Sequence, residues 1–372
     1  MTRPLHILHT ESSIGWGGQE IRVLTEMRGM LDRGHHVMLL TPDNALIYPA
    51  AQKRGIPVTP IPMTKKRIAA WLALRRWLAQ HGQHFDIINT HSSTDSWLTA
   101  LSCATLSGLP PIVRTRHVST AVNTHRSTRW LYQRATAHIV TTGEALRQQL
   151  ACDNGYDLAR MTSVRTGIDL TYFRPLNKAA MRVKLGIANK PTLGILATLR
   201  DWKGHDYLLD AWHELRRDYH DWQLLIIGDG PRREHLETRV REMQLGSRIH
   251  FVGNQDNVPE WLACLDLFTL PSYGDEGVPQ SIMQAMACGL TVVSTTVGAI
   301  NEAIVDGKTG IMIPPRDAPL LAHTLARFMR DNAMREYYAA AALNYAQAHF
   351  SIDTMLDRME EIFRTMCAHQ ER

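Results

Sequence analysis

The chain has 372 residues, of which 44% are hydrophobic and 21% are charged, a composition typical of a globular protein with more than one domain. Its formal net charge is +5, but it has no arginine-rich arm, zinc-finger spacing or RNA-recognition signature, so a nucleic-acid-binding protein is not favoured. The five cysteines are scattered and form no C-x-x-C pair, which argues against a disulfide framework or a zinc site and indicates a reducing compartment.

Short aliphatic strands alternate with longer helical patterns along the chain. In the first half the predicted strands are Leu5–His9, His36–Thr41, Ile87–Thr90, Ile112–Thr115 and His138–Thr141. In the second half they are Leu193–Ala197, Gln223–Ile227, Ile249–Val252, Leu267–Leu270, Thr291–Ser294 and Gly310–Ile313. The predicted helices include Gln19–Asp32, Lys66–Gln80, Ser96–Leu106, Gly143–Cys152, Ala333–His349 and Ile352–Met366. Buried strands that alternate with helices indicate parallel sheets covered on both faces.

The alternation restarts after Phe173-Arg174-Pro175, which predicts two Rossmann-like domains at residues 1–174 and 175–351. We expect a C-terminal helix, about 352–372, to pack back on the first domain. Ligands of such sheets bind at the carboxyl ends of the strands, so the domains should face each other across a cleft. The N-terminal residues lack a signal peptide's apolar core, and no stretch approaches the roughly 20 apolar residues of a membrane span. We therefore expect a cytoplasmic protein.

Loops after the first strand of each half contain residues suited to phosphate binding. Gly17 and Gly18 belong to a glycine-rich loop that lets the backbone approach a ligand closely, but the spacing is not that of a dinucleotide fingerprint. Arg200 and Lys203 follow the first strand of the second half, where a bidentate guanidinium and a compact ammonium group could neutralise a departing diphosphate without a metal ion. A purely structural turn and a solvated charged loop are the alternatives.

The segment Glu276–Gly289 has the pattern of a loop that opens a helix between two strands. Unpaired backbone N–H groups and the positive end of the helix dipole favour an anion at such a helix start. A carboxylate before it, Glu276, suits sugar hydroxyl groups. Pro279 removes one backbone donor from this cradle. The segment therefore indicates a site for a sugar joined to a diphosphate.

Two histidines, His91 and His117, follow successive strands, where loops often contain functional side chains. Imidazole can donate to sugar hydroxyls or phosphate, although a lone histidine is more often structural. Arg114 and Arg116 lie beside His117 and could meet an acidic or phosphorylated acceptor, while a solvated loop is an equal alternative. These three residues are the candidate acceptor-side group.

In this order, the motifs resemble the retaining nucleotide-sugar glycosyltransferases of family 4, which have the two-domain GT-B fold. The resemblance covers essentially the whole chain. The residues that support it are Gly17–Glu20, His91, Thr166–Asp169, Arg200, Lys203, Gly228–Pro231, Phe251–Gly253, Pro271-Ser272, Glu276-Gly277, the helix up to Gly289, Val297-Gly298, Glu302, Asp306-Gly307 and Thr309-Gly310.

The resemblance implies a role for each matching residue. The catalytic set would be His91, which contacts the transferred sugar, Arg200 and Lys203, which hold the diphosphate, and Glu276, which holds sugar hydroxyls. The donor-binding set would add Gly17, Gly18, Gly253, Gly277, Val278 and Gln284. The residues after Gly253 would lie near the nucleotide base. The donor would be a nucleotide-diphosphate sugar, with no further cofactor and no metal ion.

One position departs from the family's E-x7-E pattern. The first carboxylate is Glu276, but the second position is Gln284. A glutamine can still donate and accept hydrogen bonds at the ribose, with a loss of ~1 kcal/mol relative to a charged partner. We interpret the change as retuned donor binding in an active enzyme.

The resemblance implies transfer to a glycan or lipid-linked acceptor in bacterial lipopolysaccharide or surface-polysaccharide biosynthesis. The alternatives are a nucleotide-sugar epimerase on the same fold and a catalytically silent nucleotide-sugar-binding protein, which Gln284 motivates.

The basic amphipathic segment 65–78 contains five cations and two tryptophans, and could bind an anionic membrane surface peripherally. An ordinary surface helix is the alternative for this segment.

Overall fold

The computed structural model describes residues 3–118, 120–274 and 276–368. The chain divides into two compact units. The first contains the described residues up to Gly167 and those from Ile352 onward, and the second is Ile168–Ser351. The first two residues of the predicted N-terminal domain, and residues 369–372 of the predicted C-terminal helix, lie outside the described part.

The first unit is built on a seven-stranded parallel sheet in the order β3-β2-β1-β4-β5-β6-β7. Its strands are β1 (His6–Thr10), β2 (His36–Thr41), β3 (Val58–Pro60), β4 (Ile87–Thr90), β5 (Ile112–Arg116), β6 (His138–Thr141) and β7 (Met161–Ser163). The helices between them are α1 (Gly18–Asp32), α2 (Ile47–Lys53), α3 (Ile68–His81), α4 (Ser93–Cys103), α5 (Arg126–Trp130) and α6 (Glu144–Asn154). A π-helical turn, Leu131–Ala135, follows α5.

The second unit has a six-stranded parallel sheet in the order β10-β9-β8-β11-β12-β13. Its strands are β8 (Thr192–Leu196), β9 (Gln223–Ile227), β10 (Ile249–Gly253), β11 (Leu267–Leu270), β12 (Val292–Thr295) and β13 (Ile311–Ile313). Its helices are α7 (Lys178–Lys184), α8 (His205–Leu215), α9 (Arg233–Glu242), α10 (Val258–Ala263), α11 (Gln280–Ala287), α12 (Ala318–Arg330) and α13 (Asn332–His349). One continuous apolar cluster fills the space between this sheet and its helices.

The last helix, α14 (Ile352–Ala368), belongs to the first unit. Its apolar face packs into the same core as α1, with Met355, Leu356, Met359 and Phe363 buried there. Gly29 of α1 permits this approach, because a Cβ atom at that position would lie 2.4 Å from Cδ1 of Leu356. Helices α1 and α14 therefore share one apolar core with the strands of the first sheet.

The boundary between the units falls at residues 167 and 168, so the predicted boundary at residues 174 and 175 is too late. The N–H of Ile168 donates to the carbonyl of Phe350 at 2.6 Å, and Phe173 packs on the core of the second unit. Helix α4 also starts earlier than predicted, at Ser93, because Ser92 and Asp95 form a capping box at its start. Strands β3 and β7 were not predicted; each has three residues, too few to show an alternating pattern.

Each sheet reverses its strand order at one point, between β1 and β4 in the first unit and between β8 and β11 in the second. The loops at the carboxyl ends of these two strands diverge to opposite sides of the sheet and leave a crevice, which is where open α/β sheets bind ligands. Within the described residues, no helix combines the length and the apolar character that a membrane span requires.

Candidate active site

An ion pair occupies the switch point of the second sheet. Lys203, after β8, places its ammonium nitrogen 2.7 Å from Oε1 and 2.9 Å from Oε2 of Glu276, after β11. Ser272, which is fully buried, donates its hydroxyl to Oε1 of the same carboxylate at 2.7 Å. Glu276 is 7% exposed, so its geometry is set by these partners and not by solvent. The structure thus brings together two predicted site residues that are far apart in sequence.

Two glycines with positive φ hold the loops around this pair. Gly204 has φ +77°, and a Cβ atom there would lie 1.9 Å from the carbonyl oxygen of Pro271. Gly298 has φ +57°, and a Cβ atom there would lie 2.1 Å from the carbonyl oxygen of Glu276. The next residue, Ala299, donates its N–H to that carbonyl at 2.9 Å. Both positions require glycine, because an L residue would be strained at these positive φ angles and its Cβ atom would clash with a backbone carbonyl oxygen.

Arg200 lies on the same loop as Lys203 and is exposed. Its guanidinium carbon is 5.3 Å from the ring centroid of Trp202, a cation–π arrangement that orients the side chain and leaves its N–H groups available. The N–H of Tyr273 donates to the carbonyl of Trp202 at 2.8 Å, which ties this loop to the one before Glu276. Arg200 is therefore an exposed cation on a turn that is anchored to the loop before Glu276.

The other predicted donor-site residues are spread along the carboxyl edge of this sheet. Gly277 is half-buried and Val278 is buried in the core, directly before α11. Gln284 is half-buried in the second turn of α11. Gly253 ends β10, the edge strand, where it accepts a hydrogen bond from the N–H of Gly228 at 2.9 Å. One strand, β9, lies between β10 and β8, the strand that Lys203 follows.

A column of three imidazole rings occupies the switch point of the first sheet. His9 Nδ1 lies 2.9 Å from His91 Nε2, and His91 Nδ1 lies 3.0 Å from His117 Nε2. His9 is fully buried and His117 is half-buried. Burial lowers the pKa of His9 to about 3 and holds the pKa values of His91 and His117 well below their usual range. The three rings are therefore neutral near pH 7. In each of the two hydrogen bonds between them, one ring nitrogen donates its N–H and the other accepts with its lone pair.

Two carboxyl groups lie beside this column. Asp95, in the first turn of α4, accepts hydrogen bonds from Thr10 Oγ1, Ser12 Oγ and the N–H groups of His91 and Ser92 at 2.9 to 3.0 Å. Glu11 accepts from Ser13 N and Gln19 Nε2 at 2.7 and 2.5 Å, and from the Ser92 hydroxyl. Burial, with the Asp95 charge second, raises the pKa of Glu11 to about 8. Burial also raises the pKa of Asp95 to about 6.

The two predicted donor-loop glycines lie next to these groups along the chain. Gly17 is the extended residue before α1, and Gly18 is the first residue of that helix. A Cβ atom at Gly17 would meet only Glu20 Oε2, at 3.7 Å, so this glycine is not required by crowding. The predicted acceptor-side arginines are in a different environment. Arg114 and Arg116 are buried beneath the π-helical turn and do not lie in a solvated loop.

Comparison with known proteins matches both units to glycosyltransferase families. A family model described as Glycosyltransferase Family 4 matches residues 16–172, and one described as Glycosyl transferases group 1 matches residues 190–331. The lipopolysaccharide core biosynthesis mannosyltransferase LpsB of Rhizobium meliloti is 29% identical over 266 residues, 68% of this chain and 73% of that protein. The phosphatidyl-myo-inositol mannosyltransferase of Mycobacterium leprae is 27% identical over 340 residues, 87% of each chain. The chain is a glycosyltransferase.

The fold of this glycosyltransferase is similar to that of Anabaena HepE, solved in complex with UDP. The TM-score is 0.86 at 20% sequence identity, over 97% of this chain and 100% of that chain. The predicted GT-B fold with two Rossmann-like domains is confirmed. The predicted class of enzyme, a glycosyltransferase, is confirmed as well.

Several residues of the glycosyltransferase's candidate site were given no role in the sequence analysis. They are His9, Glu11, Asp95, Ser272 and Gly298. A signal was present for some of them: Ser92 and Asp95 have capping-box spacing, and Glu11 directly follows a buried strand. For Gly298 the cause is the carbonyl of Glu276, a contact that spacing cannot predict.

Proposed function

We propose that this glycosyltransferase transfers a sugar from a nucleotide-diphosphate sugar, with retention of configuration and without a metal ion. The observation that supports the donor site most directly is the Lys203–Glu276 pair at the switch point, with Arg200 on the same loop. A relative is named as a lipopolysaccharide core mannosyltransferase and another as a phosphatidyl-myo-inositol mannosyltransferase. We therefore propose a glycan or lipid-linked acceptor, in bacterial lipopolysaccharide or surface-polysaccharide synthesis.

In this proposal Arg200 and Lys203 stabilise the diphosphate as negative charge develops on it. A preformed cation in a partly water-excluded site contributes more than it would in water, since it needs no reorganisation. Lys203 is 20% exposed in its side chain, and Glu276 holds it in place. Together the two cations supply the electrostatic role that a divalent ion has in other transferases.

Glu276 is proposed to orient the transferred sugar. A carboxylate offers about four lone-pair positions, and Lys203 and Ser272 take three of them. The remaining position, on Oε2, can accept a sugar hydroxyl. Because both oxygens are already held by donors, Glu276 is a poor nucleophile, which favours a front-face reaction over a double displacement.

In a front-face reaction the bond from the anomeric carbon to the phosphate oxygen breaks while the acceptor oxygen bonds to the same face. The departing phosphate oxygen takes the proton of the acceptor hydroxyl, so no separate base is needed. His91 cannot offer a free ring nitrogen to the sugar, because His9 and His117 occupy both. We propose that His91 acts through its position in the column and that half-buried His117 reaches the ligand.

The test is donor hydrolysis by the purified protein. A thermal-shift screen of nucleoside diphosphates and nucleotide sugars first identifies the donor, because selective binding stabilises the native state. Released nucleoside diphosphate and the anomer of the released sugar are then measured with and without EDTA. We expect retention, no loss with EDTA, and a large loss in Lys203→Met but not in Lys184→Met, which breaks an exposed ion pair with Glu260. Inverted product or abolition by EDTA would contradict the mechanism.

A further inference from the structure

Two buried arginines in the first unit share one aromatic neighbour. Arg114 and Arg116 project from the same face of β5, since alternate residues of a strand do. The guanidinium carbon of Arg114 is 4.4 Å from the ring centroid of Tyr132, and Arg116 Nη1 donates to the Tyr132 hydroxyl at 3.1 Å. Tyr156 stacks on Tyr132 with ring centroids 5.0 Å apart. We call these four residues the arginine cluster.

The arginine cluster has more donors than acceptors. Arg114 Nε and Nη1, Arg116 Nε and the Tyr156 hydroxyl are buried and have no hydrogen-bond partner among the described residues. The two arginines are only 3% and 8% exposed, and within the described chain neither forms an ion pair with a carboxylate. Guanidinium groups stay charged in proteins, so burying two of them without an ion-pair partner costs several kcal/mol.

The carboxylate whose charge acts on Arg114 does not satisfy it. Asp95 is engaged by the Thr10 and Ser12 hydroxyls and by backbone N–H groups, so none of its hydrogen bonds goes to the arginine. Lys66 is a third cation near Arg114, and it donates to the Ser93 hydroxyl at 3.2 Å. Burial, together with the charge of Arg114, lowers the pKa of Lys66. The local balance of charge is therefore positive.

The arginine cluster is connected to the surface of the unit. Arg116 Nη2 donates to the carbonyl oxygen of Thr120, and Thr120 begins the mainly exposed segment 120–127. A ligand group that enters beside this segment would reach guanidinium N–H groups without breaking a side-chain ion pair. Among oxyanions, a phosphate group fits best, because its charge approaches that of two guanidinium groups and its three oxygens can accept from the three unmet guanidinium nitrogens and the Tyr156 hydroxyl.

We propose that the arginine cluster binds a phosphate group, and that the acceptor of this glycosyltransferase presents that group. The inference rests on the proposed function and adds the substrate class: a phosphorylated acceptor, bound by Arg114, Arg116 and the Tyr156 hydroxyl. A buried guanidinium group usually has an anionic partner within the protein. In this proposal the phosphate group of the ligand is that partner.

The test is phosphate titration of the full chain by thermal shift and calorimetry. Wild-type protein should be stabilised by inorganic phosphate, and Arg114→Met should weaken that binding at least about tenfold, the loss expected of a charge-assisted hydrogen-bonded pair. Without phosphate, Arg114→Met should melt no lower than wild type, because an uncompensated buried charge is removed. Arg200→Gln should keep the phosphate response, which shows that the response does not arise in the second unit.

Tyr156→Phe is the second variant, since it removes one hydroxyl and keeps both arginines. It should weaken phosphate binding several-fold, by about one neutral hydrogen bond. Mannose 6-phosphate and inorganic phosphate separate the two sources of the anion: tighter Arg114-dependent binding of the sugar phosphate indicates a phosphorylated acceptor, and equal binding indicates a site for free phosphate. Neutral methyl mannoside should give no Arg114-dependent shift.

An unchanged phosphate response in both Arg114→Met and Tyr156→Phe would overturn the inference. So would a response that Arg200→Gln alone removes. A missing nucleoside-diphosphate response in wild-type protein would instead count against the proposed function. The two ideas can therefore fail separately.

Discussion

The ammonium group of Lys203 binds both carboxylate oxygens of Glu276, at 2.7 and 2.9 Å, across the point where the second sheet reverses its strand order. The pair joins the loop after β8 to the loop after β11. Each partner limits where the other can lie, so a change in one is expected to displace the other.

Glu276→Ala is expected to lower turnover of the donor at least about 100-fold, the scale of a lost preorganised electrostatic contact. It removes the proposed sugar contact and frees Lys203 from its bidentate partner. The measurement is the rate of nucleoside diphosphate release. Gln284→Glu, which restores the second carboxylate of the family pattern, should leave turnover largely intact. Full activity in Glu276→Ala would show that the site has been assigned wrongly.

Gly298→Ala is expected to lower turnover by about 100-fold, because displacement of a substrate-positioning group by about 1 Å has an effect of that size. The new Cβ atom would lie 2.1 Å from the Glu276 carbonyl oxygen, so the loop must move. Gly307→Ala is the matched control. Gly307 has φ +71° and no atom within 4 Å of a built Cβ, so it tests the backbone strain alone. Equal losses in the two variants would rule out the steric explanation.

Glu11 should contribute less to stability as the pH rises from 6.5 to 8. The pKa of this carboxyl is about 8 in the native protein, raised by burial first and by Asp95 second, against an ordinary value of 4.5. Native Glu11 therefore keeps a proton that the unfolded chain has lost. Its contribution to stability is complete below pH 4.5 and is lost as the pH rises through 8. The slope approaches ~1.4 kcal/mol per pH unit at most.

The experiment is denaturant unfolding of wild-type protein and Glu11→Gln at the two pH values. The variant should lose much less stability over this range, whereas Glu361→Gln, on the exposed face of α14, should behave like wild type. Buried histidines such as His9, whose pKa is lowered to about 3, have the opposite effect, but wild type and Glu11→Gln share it and the comparison cancels it. Parallel curves for wild type and Glu11→Gln would mean that Glu11 is ionised in the native state.

Helix α3 is expected to bind anionic vesicles. Ile68 and Leu72 are 75% and 46% exposed, beside the basic residues of segment 65–78, while Leu74 and Leu78 pack in the core. This exposed apolar pair, flanked by cations, suits the surface of an anionic bilayer. Sedimentation with phosphatidylglycerol vesicles should retain the wild type and release the Ile68→Ser/Leu72→Ser double variant. Leu101→Ser, at another exposed leucine, is the control. Binding to neutral vesicles alone, or no binding, would remove this role.

The fold was predictable from the sequence because its main elements have local patterns. Strands such as Gln223–Ile227 and Leu267–Leu270 are continuous apolar runs between turn residues, and their observed bounds equal the predicted ones. The three-residue edge strands β3 and β7 have no such pattern, and the domain boundary depends on a contact between Ile168 and Phe350. Elements that depend on a local sequence pattern were predicted correctly, and features that depend on contacts between residues far apart in the chain were not.

The candidate site shows the same division. Residue type and position after a strand were sufficient to select Arg200, Lys203, Glu276, His91 and His117 from the sequence. The partnerships among them were decided only by the folded chain: Lys203 and Glu276 are 73 residues apart, and His9 and His91 are 82 apart. So was the burial of Arg114 and Arg116, for which a solvated loop was an equal alternative from the sequence. Such contacts depend on strand order, and strand order is a property of the whole sheet, not of any short segment.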